Sequence, residues 1–313
     1  MLYDIRLTLE QHYPAGSDHV RALLRLAPPD LPGQRVLACR LTIDPPPDER
    51  QEGRDFFANR TTMVAWHRPL TAITCHLHAR VRRLAPEAEM DVSPPLADLA
   101  AQAAGAGLGP ASPLHFRMPS PRIGPLPEAV ALARDALAAL TPPIQTRRAP
   151  AKLAAPPPAI STRAAVAAIG RALHAEMTFD PTATDATTPP ETAFAARRGV
   201  CQDYAQIMIG ALRGLGIPAA YVSGFLRTTP PPGQPRLAGV DAMHAWVAAW
   251  CGTAQGWQAY DPTNAQWAAG DYVTVATGRD YAEAAPVRGA IRTAGAQRAH
   301  HTVDVIALPD DGA

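Results

Sequence analysis

The stretch that decides the fold runs from Gly199 to Leu226 and reads GVCQDYAQIMIGALRGLGIPAAYVSGFL. Its apolar residues recur at the three- and four-residue spacing of a single helix face, namely Ala205, Met208, Ile209, Leu212 and Leu215. Glycines and a proline then end the helical pattern. A β-branched and aromatic run follows and indicates a strand. The stretch therefore predicts a helix that begins near Cys201 and leads into a buried strand.

The position of Cys201 on the first helical turn has a chemical consequence. The first N–H groups of a helix lack intrahelical acceptors, and the positive end of the helix dipole lies there. Both effects favour the thiolate, which is the nucleophilic form of cysteine. A lone cysteine at a helix start can equally be a small apolar residue, so the choice depends on the residues downstream.

Five segments, in chain order, resemble the bacterial transglutaminase-like family of the papain-like cysteine enzyme superfamily. They are GVCQDYA at 199–205, LGIPAAYVSGFL at 215–226, MHAWVAAW at 243–250, GWQAYDPTN at 256–264 and GRDYAEAAPVRG at 278–289. The family has Cys, His and Asp in that order, and these fall on Cys201, His244 and Asp261. The match extends from about Ser120 to the C-terminus.

The segment before this match has a different pattern. Residues 1 to about 85 contain short runs with period-two alternation, separated by proline- and glycine-rich turns, which indicates a small β-sandwich. Residues 54–59, RDFFAN, resemble the DYFGN-like signature of the domain that precedes the catalytic part in this family. Ala58 stands where that signature usually has glycine.

These patterns predict an α+β protein: an N-terminal β-sandwich, then a papain-like, transglutaminase-like core with helices packed on an antiparallel sheet. We place the sandwich at 1–90, a linker at 91–118 and the catalytic domain at 119–313, with its motif core at 160–266. Apolar periodicity predicts helices over 127–140, 166–177 and 191–197. Strands are predicted at 244–250, 257–261, 272–275 and 303–307, the last returning to the catalytic sheet.

Two segments without apolar periodicity complete the chain. Residues 141–160 contain six prolines and are expected to form an extended connector. The loop 228–241 is rich in proline and glycine, and it lies in sequence between the nucleophile and the base. We expect it to border a substrate cleft.

The spacing of His244 and Asp261 can be tested by strand register. If residues 251–254 close an antiparallel hairpin, Trp250 pairs with Gln255 and His244 then faces Asp261. Directly opposed side chains have Cβ atoms about 4.5–5.5 Å apart, close enough for a carboxylate to hold an imidazole. A one-residue slip would place the two on opposite faces.

The three residues have distinct expected roles. Cys201 attacks a carbonyl carbon, His244 transfers the proton to the leaving amine, and Asp261 orients His244. The Cys201 backbone N–H is the expected first oxyanion donor. Substrate contacts are predicted for Gln202, Trp246 and Tyr260, with a core role as the alternative for the two aromatic residues. The resemblance also shows departures, at Phe179, Gln206, Ala220, Phe225, Met243 and Ala248, which leave open a changed pocket or lost activity.

Composition narrows the function further. The net charge is +1 without a basic run, so no nucleic-acid or anionic-membrane partner is expected. Four scattered cysteines indicate a reducing compartment, and the polar N-terminus does not resemble a signal peptide, so a cytoplasmic location is expected. No cofactor and no metal site are predicted. The oligomeric state is left open.

The resemblance implies acyl transfer at an amide through a Cys201 thioester, with a protein or peptide as substrate. Water as the acceptor gives a peptidase or amidase, and a lysine amine gives a protein-glutamine gamma-glutamyltransferase. The three residues alone do not decide between these, although the resemblance favours hydrolysis. A catalytically inactive interaction scaffold is the alternative from another class.

Overall fold

The computed structural model describes residues 1–84, 90–140, 159–228, 241–293 and 295–309. The chain divides into two compact units. The first comprises Met1–Glu89, Val222–Ala245 and Ala268–Ala313, and the second Met90–Tyr221 and Trp246–Trp267. The predicted connector at 141–160 and loop at 228–241 fall largely outside the described residues. None of the described helices is long and apolar enough to cross a membrane.

Helices and antiparallel strands are mixed along the chain, which confirms the predicted α+β class. The helices are α1 (Leu96–Ala104), α2 (Pro127–Leu140), α3 (Thr162–Glu176), α4 (Pro190–Ala196), α5 (Cys201–Gly214) and α6 (Tyr281–Ala284), with a short 3₁₀ turn at Pro113–Phe116. The strands are β1 (Leu2–Leu24), β2 (Gln34–Asp44), β3 (Glu49–Arg54), β4 (Arg60–Trp66), β5 (Leu70–Arg83), β6 (Thr178–Phe179), β7 (Arg198–Gly199), β8 (Ala219–Leu226), β9 (Ala242–Trp250), β10 (Trp257–Asp261), β11 (Gln266–Trp267), β12 (Tyr272–Gly278), β13 (Val287–Thr293) and β14 (Arg298–Leu308).

The first unit is built around β1, a strand of 23 residues. Its first half, Leu2–His12, pairs with β5 and β14 on either side. Its last residues, Val20–Leu24, pair instead with β4 and β13. Register shifts between the two halves let β1 take part in both groups of strands. The inward residues of both groups form one apolar core, which is the predicted β-sandwich.

The role of β14 differs from the prediction. The final strand was expected to return to the catalytic sheet, but β14 pairs with β1 over Leu2–His12. Its buried Val303 and Val305 belong to the same core as Tyr3 and Ile5. Period-two alternation identified the strand correctly but contains no information about which edge it pairs with.

The second sheet has five strands in the order β11-β10-β9-β8-β12. In the second unit, α3 packs on β10 and β11, and α5 packs against α2, α3 and α4. All residues of α5 from Gln202 to Leu212 are buried. A helix that is buried on every side holds its first turn rigidly, and this first turn carries Cys201.

Candidate active site

Cys201 is the first residue of α5, as the sequence predicted, and Val200 precedes it in an extended conformation. The cysteine is a free thiol of intermediate exposure at the start of an otherwise buried helix. As the first helical residue it has a backbone N–H without an intrahelical acceptor. The position thus combines a thiol accessible to a substrate with amide groups that favour negative charge.

A buried carboxylate fixes this first turn. Asp203 is completely buried, and its Oδ2 accepts hydrogen bonds from the Val200 N–H at 2.8 Å and from the Thr184 hydroxyl at 2.6 Å. Burial raises the pKa of the Asp203 carboxyl, and the bonds from Thr184 and Val200 act in the opposite direction. Through its contact with the Val200 N–H, the Asp203 side chain holds the backbone at the start of α5. No helical or strand periodicity pointed to Thr184, which lies in a loop.

The carboxylate of Asp261 is held by the turn that follows it. At the end of β10, its Oδ1 accepts from the backbone N–H groups of Thr263 at 2.8 Å and Asn264 at 3.2 Å. Its Oδ2 accepts from the Asn264 side-chain amide at 2.7 Å. Hydrogen bonds to both oxygens fix the orientation of the carboxylate. The segment DPTN contained this signal, because an aspartate commonly accepts from the amides two and three residues later in such turns.

The register between β9 and β10 differs from the prediction. Trp250 pairs with Trp257, and Val247 pairs with Tyr260. The predicted pairing of Trp250 with Gln255, and hence of His244 with Asp261, is therefore wrong by two residues. A shift of two residues preserves the alternation of faces. Positions 244 and 246 of β9 and position 261 of β10 consequently still belong to the same face of the sheet.

The shift comes from a longer connection between the two strands. Residues 251–256 form the loop, and Gly252 and Gly256 adopt positive φ angles of 92° and 68°. The Gly256 N–H donates to the Gly252 carbonyl at 2.8 Å, and the Cys251 N–H donates to the Gly256 carbonyl at 2.8 Å. The loop is therefore two residues longer than the predicted turn at 251–254, while β10 has its predicted bounds.

His244 lies within β9 and is buried. Its ring centroid is 6.2 Å from that of Tyr272, with the ring planes inclined by 47°. His244 and Tyr272 belong to the first unit, whereas Cys201 and Asp261 belong to the second.

The residues predicted to contact substrate are largely buried. Trp246 and Tyr260 are each 1% exposed, which favours the core role that was the alternative for both. The Tyr260 ring packs at 5.0 Å against Trp267, and its hydroxyl donates to the Ala167 carbonyl at 3.4 Å. Gln202 is also buried, and within the described parts of the chain its side-chain Nε2 has no hydrogen-bond partner. Substrate binding by these three residues stays a prediction.

Among the departures from the family pattern, Gln206 is unusual. Its side chain is completely buried in α5, and neither its Nε2 nor its Oε1 has a hydrogen-bond partner within the described residues. Phe179 is 53% exposed and lies on the short strand β6. Burial of an amide without hydrogen bonds lowers the stability of the fold. Glutamine is therefore energetically unfavourable at position 206.

Comparisons with known proteins agree with this architecture. Residues 3–82 match the bacterial transglutaminase-like N-terminal region, and residues 151–262 match the transglutaminase-like superfamily. The uncharacterized protein Rv2569c of Mycobacterium tuberculosis is 34% identical over 265 residues, which are 83% of this chain and 78% of that protein. The structure of a proposed cysteine protease from Cytophaga hutchinsonii has the same fold, with a TM-score of 0.69 and 20% identity, and the match covers 100% of this chain and 92% of that one.

The fold and the matched segments define a papain-like, transglutaminase-like protein. The chain belongs to the transglutaminase-like superfamily and carries the bacterial transglutaminase-like N-terminal region. A shorter segment is similar to the protein-glutamine gamma-glutamyltransferase of Pseudomonas aeruginosa, with 39% identity over 87 residues. That segment covers 28% of this chain and 13% of the Pseudomonas protein.

Proposed function

We propose that this protein is a cysteine enzyme that transfers acyl groups from amides through a Cys201 thioester, with His244 as base and Asp261 as the orienting carboxylate. Hydrolysis of a peptide or amide is the favoured outcome. The observation that carries the proposal is the fixed Asp261 carboxylate on the sheet face to which position 244 also belongs. A carboxylate held by three donors is prepared to stabilise a neighbouring imidazolium.

The position of Cys201 supports the same chemistry. The Cys201 thiolate attacks the amide carbonyl carbon, and the oxygen of the tetrahedral intermediate accepts a hydrogen bond from the Cys201 backbone N–H. One such donor contributes on the order of 3 kcal/mol to stabilising the transition state. His244 holds the proton of the thiol and delivers it to the leaving amine. The C–N bond then breaks and leaves the acyl group on sulfur.

The second half of the reaction decides the class of enzyme. Water, deprotonated by His244, attacks the thioester carbon and releases the acid together with the free thiol. A primary amine that attacks the same carbon would instead form a new amide. The similarity to the Pseudomonas gamma-glutamyltransferase favours this transferase as the second candidate, although it covers a small part of that protein.

One experiment separates the two outcomes. The protein is incubated with glutamine-containing peptides and an excess of a primary amine, and the products are analysed by mass spectrometry. Released peptide acid or a cleaved backbone indicates hydrolysis, and incorporated amine indicates transfer. Cys201→Ala should abolish either product, while Cys39→Ser, which alters a thiol in the N-terminal sandwich, should leave product formation unchanged. Full activity in Cys201→Ala would refute the proposal.

A further inference from the structure

Phe179 is an exposed aromatic residue on β6, the short strand beside the segment that leads to Cys201. β6 pairs in parallel with β7, and Phe179 lies directly opposite Gly199. The Asp180 N–H donates to the Gly199 carbonyl at 3.0 Å, which fixes the backbone next to Phe179. Gly199 is two residues before Cys201 in the chain. The backbone of Phe179 is therefore held beside the strand that leads into α5.

The side chain of Phe179 is on the face of this strand pair that is turned towards α5. Directly opposed residues of neighbouring strands share a face, so Phe179 shares the face of Gly199. A Cβ atom at Gly199 would lie 2.6 Å from Asp203 Oδ2, so the first turn of α5 is on this face. Val200 is extended, with φ of −106° and ψ of 178°. Because side chains alternate along an extended chain, Cys201 follows Gly199 on the same face.

Strand geometry gives the separation of the two residues. Neighbouring strands lie about 4.8 Å apart and an extended chain advances about 3.3 Å per residue, so the Cα atoms of Phe179 and Cys201 are about 8 Å apart. Aromatic side chains reach diagonal neighbours at such separations. The loop after β6 is joined to the same turn, because the Thr184 hydroxyl donates to Asp203 Oδ2 at 2.6 Å. Phe179 is thus fixed within one side-chain length of the thiol.

The ring of Phe179 is accessible to a ligand. Its residue is 53% exposed, and the neighbouring Cys201 is a free thiol of intermediate exposure. A molecule that reaches the thiol from solvent therefore passes close to an apolar ring. Contact between this ring and an apolar group of the molecule removes both from water, which favours binding.

We propose that Phe179 forms the apolar wall of a substrate subsite beside Cys201. The enzyme then favours amides that carry an aromatic or branched aliphatic side chain next to the scissile bond. This inference rests on the proposed acyl transfer at Cys201. The alternative is an exposed ring without a role in binding, because single apolar side chains are common on protein surfaces.

The first test compares two reagents that alkylate thiols, iodoacetamide and N-benzyl iodoacetamide. The Cys201 thiolate displaces iodide from both, so the reagents differ only in the benzyl ring. Relative to their rates with free cysteine, we expect the benzyl reagent to label Cys201 about two- to tenfold faster than iodoacetamide, as one aromatic contact provides. Phe179→Ala should remove this preference, and Phe179→Leu should retain part of it. The same preference in wild type and Phe179→Ala would overturn the proposal.

Phe56→Ala is the matched control for this measurement. Phe56 is 57% exposed and lies between β3 and β4 in the N-terminal sandwich, so its loss should leave the preference at Cys201 unchanged. Peptide mass spectrometry reports the labelling of Cys39 in the same samples, and this labelling should not respond to Phe179→Ala. Thermal denaturation should give similar Tm values for both alanine variants, since both rings are exposed. Equal effects of the two variants on Cys201 would overturn the subsite.

Turnover separates this inference from the proposed function. Two glutamine peptides are compared, with phenylalanine or glycine on both sides of the glutamine. Phe179→Ala should raise KM for the phenylalanine peptide about two- to tenfold and leave its kcat unchanged, because a contact made equally in the ground and transition states affects KM alone. The glycine peptide should not respond. A labelling preference without turnover of any peptide would refute the proposed function and retain the subsite, whereas turnover without the preference would overturn the subsite alone.

Discussion

The ring of Tyr260 lies so close to the Cα of Gly170 that a Cβ atom at position 170 would overlap the ring. Gly170 is in the middle of α3, and Tyr260 immediately precedes Asp261 on β10. The absence of a side chain at position 170 therefore determines how closely the helix approaches the strand that presents the Asp261 carboxylate.

Gly170→Ala should accordingly destabilise the protein, although alanine favours helices. We expect a loss of about 1–3 kcal/mol in the free energy of unfolding, since Tyr260 has to move in a packed core. The measurement is chemical denaturation. Gly124→Ala is the control, because a Cβ there meets no atom within 4 Å. An unchanged stability in Gly170→Ala would contradict the close packing of α3 on β10.

Asp203 should make stability depend on pH. Its folded-state pKa is raised by burial, so the folded chain binds the Asp203 proton more tightly than the unfolded chain does. The stability that this proton provides is fully present below the unfolded pKa and is lost as the pH rises through the folded pKa. Wild type should therefore lose stability relative to Asp203→Asn as the pH rises above the usual carboxyl range. Parallel stability curves for the two proteins would contradict this prediction.

Ala58 adopts a left-handed conformation, with φ of 63°, at the position where the family signature usually has glycine. Asp55 closes this turn by accepting from the N–H groups of Phe57 at 3.0 Å and Asn59 at 3.1 Å. Since alanine is disfavoured in this conformation by about 1–2 kcal/mol, Ala58→Gly should stabilise the sandwich, partly offset by the greater flexibility of glycine when unfolded. We expect a net gain of about 0.5–1 kcal/mol in thermal or chemical denaturation. A loss of stability would show that the turn does not strain Ala58.

Replacement of the buried Gln206 amide should also stabilise the protein. Methionine has a similar shape and needs no hydrogen bonds, so Gln206→Met should raise the free energy of unfolding by about 1–2 kcal/mol. Gln255→Met is the matched control, because Gln255 Oε1 accepts from the Val92 N–H at 2.8 Å and its loss should destabilise. If Gln206→Met is more stable but less active, the amide serves the reaction. A less stable Gln206→Met protein would contradict the prediction.

The reactivity of Cys201 tests the proposed pair of nucleophile and base. We expect iodoacetamide to label Cys201 of the wild type faster than Cys39, because the proposed base takes up the Cys201 thiol proton. His244→Ala should abolish this labelling if the imidazole holds the thiol proton. Peptide mass spectrometry across pH 5 to 9 gives the profile, with Cys39 as an internal reference. Labelling of Cys201 only at alkaline pH, in both proteins, would argue against the enzyme.

Several elements could be predicted because their sequence patterns are local. Apolar periodicity predicted a helix over 127–140, and α2 has these bounds. The same kind of periodicity predicted that α5 begins near Cys201. The register of β9 and β10 could not be predicted, because it depends on two left-handed glycines in their loop. The contact of Thr184 with Asp203 joins residues 19 apart through a loop without periodicity. Such pairs are determined by tertiary packing.

The pairing of β1 with β14 has a consequence for how the chain folds. Leu2 lies opposite Leu308, so one edge of β1 stays unpaired during synthesis until β14 has been made. Because the paired residues are far apart in the sequence, this pairing raises the contact order of the fold. A high contact order slows folding. During synthesis, the apolar side chains of β1 have to be protected from other nascent chains. The sandwich is thus completed only after the segments between β1 and β14 have been synthesised.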